Sequence, residues 1–450
     1  MARLSELAGI LGATLHGADA PFSRVSTDTR QLQKDDLFVA LKGESFDAHE
    51  FIPQARATGA AGALVSRRLD DPLPQVMAQD SLLALQSFGA QWRSRFDIPV
   101  VAVTGSNGKT TTKQMLASIL AERGPVLATQ GNLNNHIGVP LTLLSLRAEH
   151  ATAVVEMGAS HQGEIAALTG LARPNIGVVT QAGDAHLEGF GSREGVARAK
   201  GELFAGLSEG IAVINNDDSY AALWRGLAGG NSILSFGMTE QADVHALHVE
   251  PSEAGMRFDL VTPGGRAAVK LPLPGRHNVA NALAAAACGI ALGMDVEVIA
   301  HRLAQVENAA GRLSWKRTPQ GARLLDDSYN ANPTSLKAGM ELLCAQRGTR
   351  VLIMGGMAEL GADAAQLHRD AGLAAKKLGI EKLLTLGPLA AEAARTFGDG
   401  ATAFADLQPL ADAARKLLDK NAVVLVKGSR SSRMERVVAA LTGEEPERPH

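Results

Sequence analysis

An apolar run that breaks into a glycine loop and restarts as a polar helix, VVAVTGSNGKTTT at 100–112, constrains this chain more than any other stretch. Ile98, Val100, Val101 and Val103 have the short β-branched character of a buried strand. Gly105 and Gly108 punctuate a tight loop. Lys109, Thr110, Thr111 and Thr112 then open a helix whose apolar face runs through Met115, Ile119 and Leu120. A strand, a glycine loop and a helix N-terminus make a phosphate cradle, because the glycines turn backbone N–H groups toward the anion and the helix dipole favours negative charge there. Lys109 reaches β- and γ-phosphates from such a place, and the Thr110 hydroxyl suits Mg²⁺. The spacing is shorter than G-x4-G-K-[ST], since Val103 stands where the first glycine would be. A plain glycine turn ahead of an amphipathic helix is the alternative; the flanking strand, helix and hydroxyl cluster favour nucleotide binding.

A length of 450 residues predicts about three domains, placed at 1–80, 81–312 and 313–450. A net charge of −3 implies no polyanionic partner, and 4% aromatic content argues against stacking on single-stranded nucleic acid. Cys288 and Cys344 are the only cysteines, which excludes a disulfide framework or a cysteine zinc site and suits a reducing, cytoplasmic setting. Glu6 interrupts the apolar N-terminal run, so MARLSELAGILGATLHG reads as an amphipathic helix rather than a signal peptide. The Ala-rich stretch 278–294 is short and begins with Asn278 and Asn281, which favours a packed helix over membrane insertion.

Along the chain, 36–41 and 61–65 read as strands around a helix at 48–58. Ser26, Thr27, Asp28, Thr29 and Arg30 form a polar cluster that is either a solvated turn or a pocket for a phosphorylated or carboxylated group. A helix at 81–95 leads to the glycine loop. Strands follow at 126–129, 153–155 and 176–180, then a helix at 193–207 and a strand at 211–215. Glu156 and His186 fall just beyond strand ends, where chemistry collects in a doubly wound sheet; a turn carboxylate and a bonded surface histidine are the plainer readings. Lys200 lies among Val196, Leu203 and Phe204, where a lysine ordinarily snorkels. Alternation through 231–273 predicts antiparallel strands at the sheet margin. From Trp315 onward βα units alternate, with strands at 322–325, 350–354, 382–386, 401–404 and 422–426, giving a second parallel α/β domain. The tail from Gly443 reads as disordered.

Taken together, TGSNGKTTT, Glu156, His186 with its GD-H context, Lys200 in ARAKGELF, and GRHNVANALAA resemble the Mur ligases, the ATP-dependent amide-forming enzymes of peptidoglycan synthesis. STDTRQLQKDDLFVALKGESFDAHEFI, GNLNNHIGVPLTLL, DDSYNANPTSLKAGMELL and GGMAELG resemble the branch that adds D-alanyl-D-alanine to UDP-N-acetylmuramoyl-tripeptide. The resemblance implies a small N-terminal α/β domain for the UDP-sugar, a central P-loop parallel sheet and a C-terminal Rossmann-like domain. It implies that Gly105, Ser106, Asn107, Gly108, Lys109, Thr110 and Thr111 hold ATP phosphates, and that His277, Asn278, Arg312 and Asp327 surround adenine and ribose. Thr110, Glu156, His186 and a carbamoylated Lys200 would serve Mg²⁺, making Lys109, Lys200, His186 and Glu156 the catalytic set. Ser26, Asp28, Thr29 and Arg30 would meet the UDP-sugar, Asn134, Asn135 and His136 the muramyl-peptide, and Lys427, Ser429 and Arg430 the incoming dipeptide. The expectation is a monomer with no nucleic-acid partner. A kinase or NTPase, or a nucleotide-gated binding protein, would share the loop but need no second amine substrate.

Overall fold

Successive residues of the strand Val100–Thr104 are buried on opposite faces, Val100 and Ala102 in one core and Val101 and Val103 in the other. The computed structural model, which describes residues 1–43, 46–252, 255–307 and 311–445, sets this strand inside a nine-stranded sheet. Thr152–Glu156 pairs with it in parallel on one side and Ile176–Val179 on the other. Glu156 stands opposite Val103, and Val179 opposite Thr104. Three strands therefore end at one edge on either side of the glycine loop, at the point where the winding reverses.

The antiparallel margin is present in Val244–Ser252, Gly255–Thr262 and Gly265–Leu271. Ser232–Gly237 differs from expectation: it runs parallel to Ile211–Asn215, and its end pairs in parallel with Val244 and His245. Alternation reports which face is buried, not the direction of the neighbouring strand. The Ala-rich helix, Arg276–Ala291, packs on the helix Lys109–Leu120. Small residues permit a close approach, since a Cβ on Gly289 would lie 3.2 Å from Ile119. Among the described residues no helix is long and apolar enough to cross a membrane.

A five-stranded sheet precedes this one, in the order Thr14–His16, Gln75–Met77, Gly62–Val65, Asp36–Val39 and Arg24–Ser26. Its Leu37, Val39 and Leu64 share a core with Ala84, Leu85, Phe88 and Trp92 of the helix Ser81–Arg93 and with Val100. Phe38, Ala40, Ala63 and Val65 face a separate core. The last sheet has six strands, in the order Ser314–Arg317, Arg323–Asp327, Ala422–Lys427, Thr349–Gly355, Lys382–Leu386 and Ala401–Phe404. Its first pair is antiparallel and the rest are parallel. In that register Asp327 stands opposite Lys427 at the carboxyl ends of neighbouring strands. The short helices Pro388–Phe397 and Val296–Leu303 were not expected from the sequence; the apolar positions of the first merge with the strand signals on either side, and the second follows closely on the Ala-rich helix. Beyond residue 445 the expected tail lies outside the described residues.

Candidate active site

The glycine loop is braced before any ligand arrives. Thr180 donates its hydroxyl to the Asn107 carbonyl at 2.6 Å, the Ser106 N–H reaches the Gln181 carbonyl at 2.9 Å, and the Ser106 hydroxyl donates to the Gly183 carbonyl at 3.1 Å. Gly105 and Gly108 have φ of 141° and 83°. A Cβ would sit 2.0 Å from Thr180 Oγ1 at Gly105 and 2.2 Å from Asn281 Oδ1 at Gly108. Both glycines are thus required by conformation and by space. Lys109 folds back to donate to the Gly105 carbonyl at 2.7 Å. Burial lowers its pKa, with Arg312 adding to the effect and Glu156 opposing it.

Glu156 is the anchor of the polar group beside Thr110. The Thr110 hydroxyl donates to its Oε2 at 3.0 Å and the Asn134 amide to its Oε1 at 2.9 Å. Lys113 Nζ lies 3.7 Å from Oε2 and donates to the Thr129 carbonyl at 2.7 Å. Lys113 went unnoticed in the sequence, although it stands one turn from Lys109 on the same helix face. Asn134 spends its amide on Glu156. Asn135 and His136 are exposed; the Asn135 side-chain Oδ1 accepts from the N–H groups of Ile137 and Gly138.

A cleft of about 250 Å³ opens above the loop. Ser106, Asn107, Gly108, Lys109, Thr110 and Thr111 line it with His277, Asn278, Arg312 and Asp327. Asn281, Tyr329 and Asn332 also line it, and the sequence reading assigned them no role. The Arg312 guanidinium stacks 4.4 Å from the Tyr329 ring centre. Asn332, from the C-terminal sheet's half, donates to Asn107 Oδ1 across the cleft at 2.8 Å. Asp327 and Lys427 form an ion pair, and Lys427 also donates to the Asn330 carbonyl at 2.9 Å. Of the three residues expected to meet the incoming dipeptide, Lys427 lines this cleft and Ser429 and Arg430 line the one next to it. Crowding by protein drives the His277 pKa down to about 4, with Lys427 assisting and Asp327 opposing.

A second cleft of about 860 Å³ shares Ser106 and Lys109 with the first. His186, Glu359, Ser429, Arg430, Arg433, Glu435 and Arg436 line it. His186 has a left-handed φ of 53°; its Nδ1 pairs with Glu359 of the C-terminal half and lies 3.3 Å from the Ser160 hydroxyl. Lys200 lines neither cleft. It is 1% exposed, donates to the Ala159 carbonyl at 3.1 Å and lies 5.2 Å from the centre of the Phe190 ring. Burial, with the charge of Lys109, lowers its pKa to about 7. This side chain does not snorkel.

The N-terminal cluster is bonded to itself. The Ser26 hydroxyl donates to the Asp28 carbonyl, the Asp28 carboxylate pairs with Arg30, and the Thr29 hydroxyl donates to Gln54. The Arg30 side chain remains 85% exposed. The structure brings this cluster to neither cleft.

Among the described residues no three His, Cys, Asp or Glu side chains converge as a ready metal site. Thr110 and Glu156 nevertheless present adjacent hard oxygens, the donor type Mg²⁺ takes alongside phosphate oxygens.

Residues 103–289 match the Mur ligase middle domain, and 311–430 the Mur ligase glutamate ligase domain. UDP-N-acetylmuramoyl-tripeptide–D-alanyl-D-alanine ligase of Escherichia coli K12 is 46% identical over 97% of this chain and 98% of its own length. The crystal structure of MurF from Acinetobacter baumannii superposes with a TM-score of 0.92 at 37% identity, covering 98% of each chain. MurF from Thermotoga maritima, solved in complex with ADP, gives a TM-score of 0.82 at 28% identity over 94% of this chain and 97% of that one.

Proposed function

The chain belongs to the Mur ligase family, and we infer from that premise that it joins D-alanyl-D-alanine to UDP-N-acetylmuramoyl-tripeptide with the consumption of ATP in peptidoglycan synthesis. Two clefts meeting at Ser106 and Lys109 carry this reading. A simple NTPase needs only the first, and a kinase needs no amine substrate; a ligase needs a place from which an amine reaches the activated acyl group.

A carboxylate does not condense with an amine at neutral pH, because the oxygen is a poor leaving group. Phosphorylation by the γ-phosphate of ATP supplies a good one, and amine attack then releases phosphate. Lys109 and the loop N–H groups spread the charge of the transferring phosphoryl. Freed from the Gly105 carbonyl, the Lys109 ammonium gains in the phosphate a counter-charge that offsets the cost of its burial. Thr110 and Glu156 are the residues that would hold Mg²⁺, which supplies charge neutralisation at the phosphates. The carbonyl contact and low pKa of Lys200 support the carbamate assigned by resemblance, since carbon dioxide adds only to the neutral amine. Arg312 and Tyr329 offer a stacked platform for the base, and His277 a neutral ring.

On this reading 1–80 receives the UDP-sugar, 81–312 the ATP and 313–450 the dipeptide, in a cytoplasmic, monomeric enzyme. Phosphate release should require both organic substrates, with ADP and UDP-N-acetylmuramoyl-pentapeptide as co-products seen by mass spectrometry. AMP with pyrophosphate, or phosphate release without the dipeptide, would overturn it.

A further inference from the structure

The second cleft contains an acidic oxygen that the reading above leaves unused. Glu435 opens the helix Glu435–Thr442 and lines the cleft. Its position in the first turn suits the helix dipole, but that alone gives its oxygens no donor. Among the described residues Oε2 is buried without a hydrogen-bond partner. A carboxylate oxygen in that state costs free energy, and its persistence calls for a donor supplied from outside the chain.

The charges around it narrow the donor's chemistry. Arg430, Arg433 and Arg436 line the same cleft, and among the described residues none pairs with Glu435. Glu359, the other carboxylate of the cleft, is already engaged by His186. Glu435 therefore brings an unpaired acceptor to the wall of a cleft rimmed by guanidinium groups, with Oε2 screened from solvent in its present rotamer. A zwitterionic dipeptide has the complementary pattern: its terminal carboxylate matches the forked donors of arginine, and its α-ammonium needs an anionic acceptor.

We propose that the half-buried Glu435 side chain turns into the cleft, where its carboxylate accepts a hydrogen bond from the α-ammonium of the incoming dipeptide and so fixes which of its ends is presented toward Lys109 and Ser106. The proposal rests on the ligase reading and adds a specificity residue to it. Glu435 makes the cleft selective for a free amine, and the arginines hold the far carboxylate.

The test compares D-alanyl-D-alanine with propanoyl-D-alanine, which lacks only the amine. With ATP and the UDP-tripeptide saturating, Glu435→Gln should raise the KM for the dipeptide on the order of tenfold or more. The inhibition constant of propanoyl-D-alanine should stay unchanged, as should the KM for ATP. Glu435→Asp, which keeps the charge, should restore part of the difference. If turnover is too slow to follow, calorimetric titration of both compounds onto enzyme loaded with a non-hydrolysable ATP analogue and the UDP-tripeptide reads the same contrast. An unchanged dipeptide KM, or equal weakening of both compounds, overturns the role of Glu435. A wild-type enzyme that does not ligate the dipeptide overturns the ligase reading instead.

Discussion

The nucleotide cleft and the arginine-rimmed cleft share Ser106 and Lys109 but differ in the state of their walls. In the smaller, most polar groups already pair with one another, Asn281 with Asn278, Asp327 with Lys427 and Asn332 with Asn107 Oδ1, while Asn107 Nδ2 is buried without a partner among the described residues. In the larger, Arg430, Arg433 and Arg436 form no ion pair among the described residues, and Glu435 keeps an unpaired oxygen. The first is organised in advance around a ligand of fixed shape. The second holds its charges in reserve for one that brings its own. Preorganisation of the phosphate site favours phosphoryl transfer, whereas the exposed guanidinium groups of the second cleft stay solvated until a substrate pairs with them.

Lys109→Ala tests whether the two clefts serve one reaction. It should lower the ligation rate on the order of 10³-fold or more, with little change in melting temperature. Near-normal phosphate release from the folded variant would separate the clefts.

His277 tests how far the nucleotide cleft is specialised for a neutral ring. Its folded pKa of about 4 lies below the unfolded value of 6.5. As pH falls the unfolded chain takes up the proton first, so this contribution is complete above pH 6.5 and is lost down to about pH 4. The loss should approach about 3 kcal/mol. Urea unfolding across that range should show a shallower pH slope in His277→Gln, and an unchanged slope would mean that the ring is solvated.

Lys200 lies behind both clefts and should affect the chemistry without changing substrate affinity. Lys200→Ala should lose activity on the order of 10²-fold and regain part of it with added short carboxylic acids. In the wild type, carbamate and activity should decline together as pH falls through about 7, where the amine acquires its proton. Labelled carbon dioxide gives the direct readout: no carbamate carbon signal in the active enzyme would leave Lys200 a buried structural lysine.

The smallest effect should come from Glu359→Gln, which removes the partner of His186 across the second cleft. The pair is partly solvated, with side chains 30% and 55% exposed. A rise of about two- to fivefold in the dipeptide KM is expected, with the ATP KM unmoved. If the ATP KM moves instead, the two clefts are coupled through this pair.

Much of the fold was legible because periodic burial is a local property. Val100 to Thr112 spells out strand, loop and helix by itself, and the parallel strands from Arg323 to Lys427 announce themselves as apolar runs between helices. The direction of Ser232–Gly237 was not legible, because its partners are chosen through tertiary packing. The site divides in the same way.

The sequence by itself determined the phosphate loop, since an apolar strand, two glycines, a lysine and hydroxyls follow one another in fixed local order. The tertiary structure decided how distant charges pair. Asp327 meets Lys427 because two strands a hundred residues apart share a register, and His186 meets Glu359 because the segments beyond two strand ends pack together. Only the fold buried Lys200 and left Glu435 without a donor. Solvation and Coulomb interactions depend on what lies nearby in space, and separation along the chain does not encode that distance.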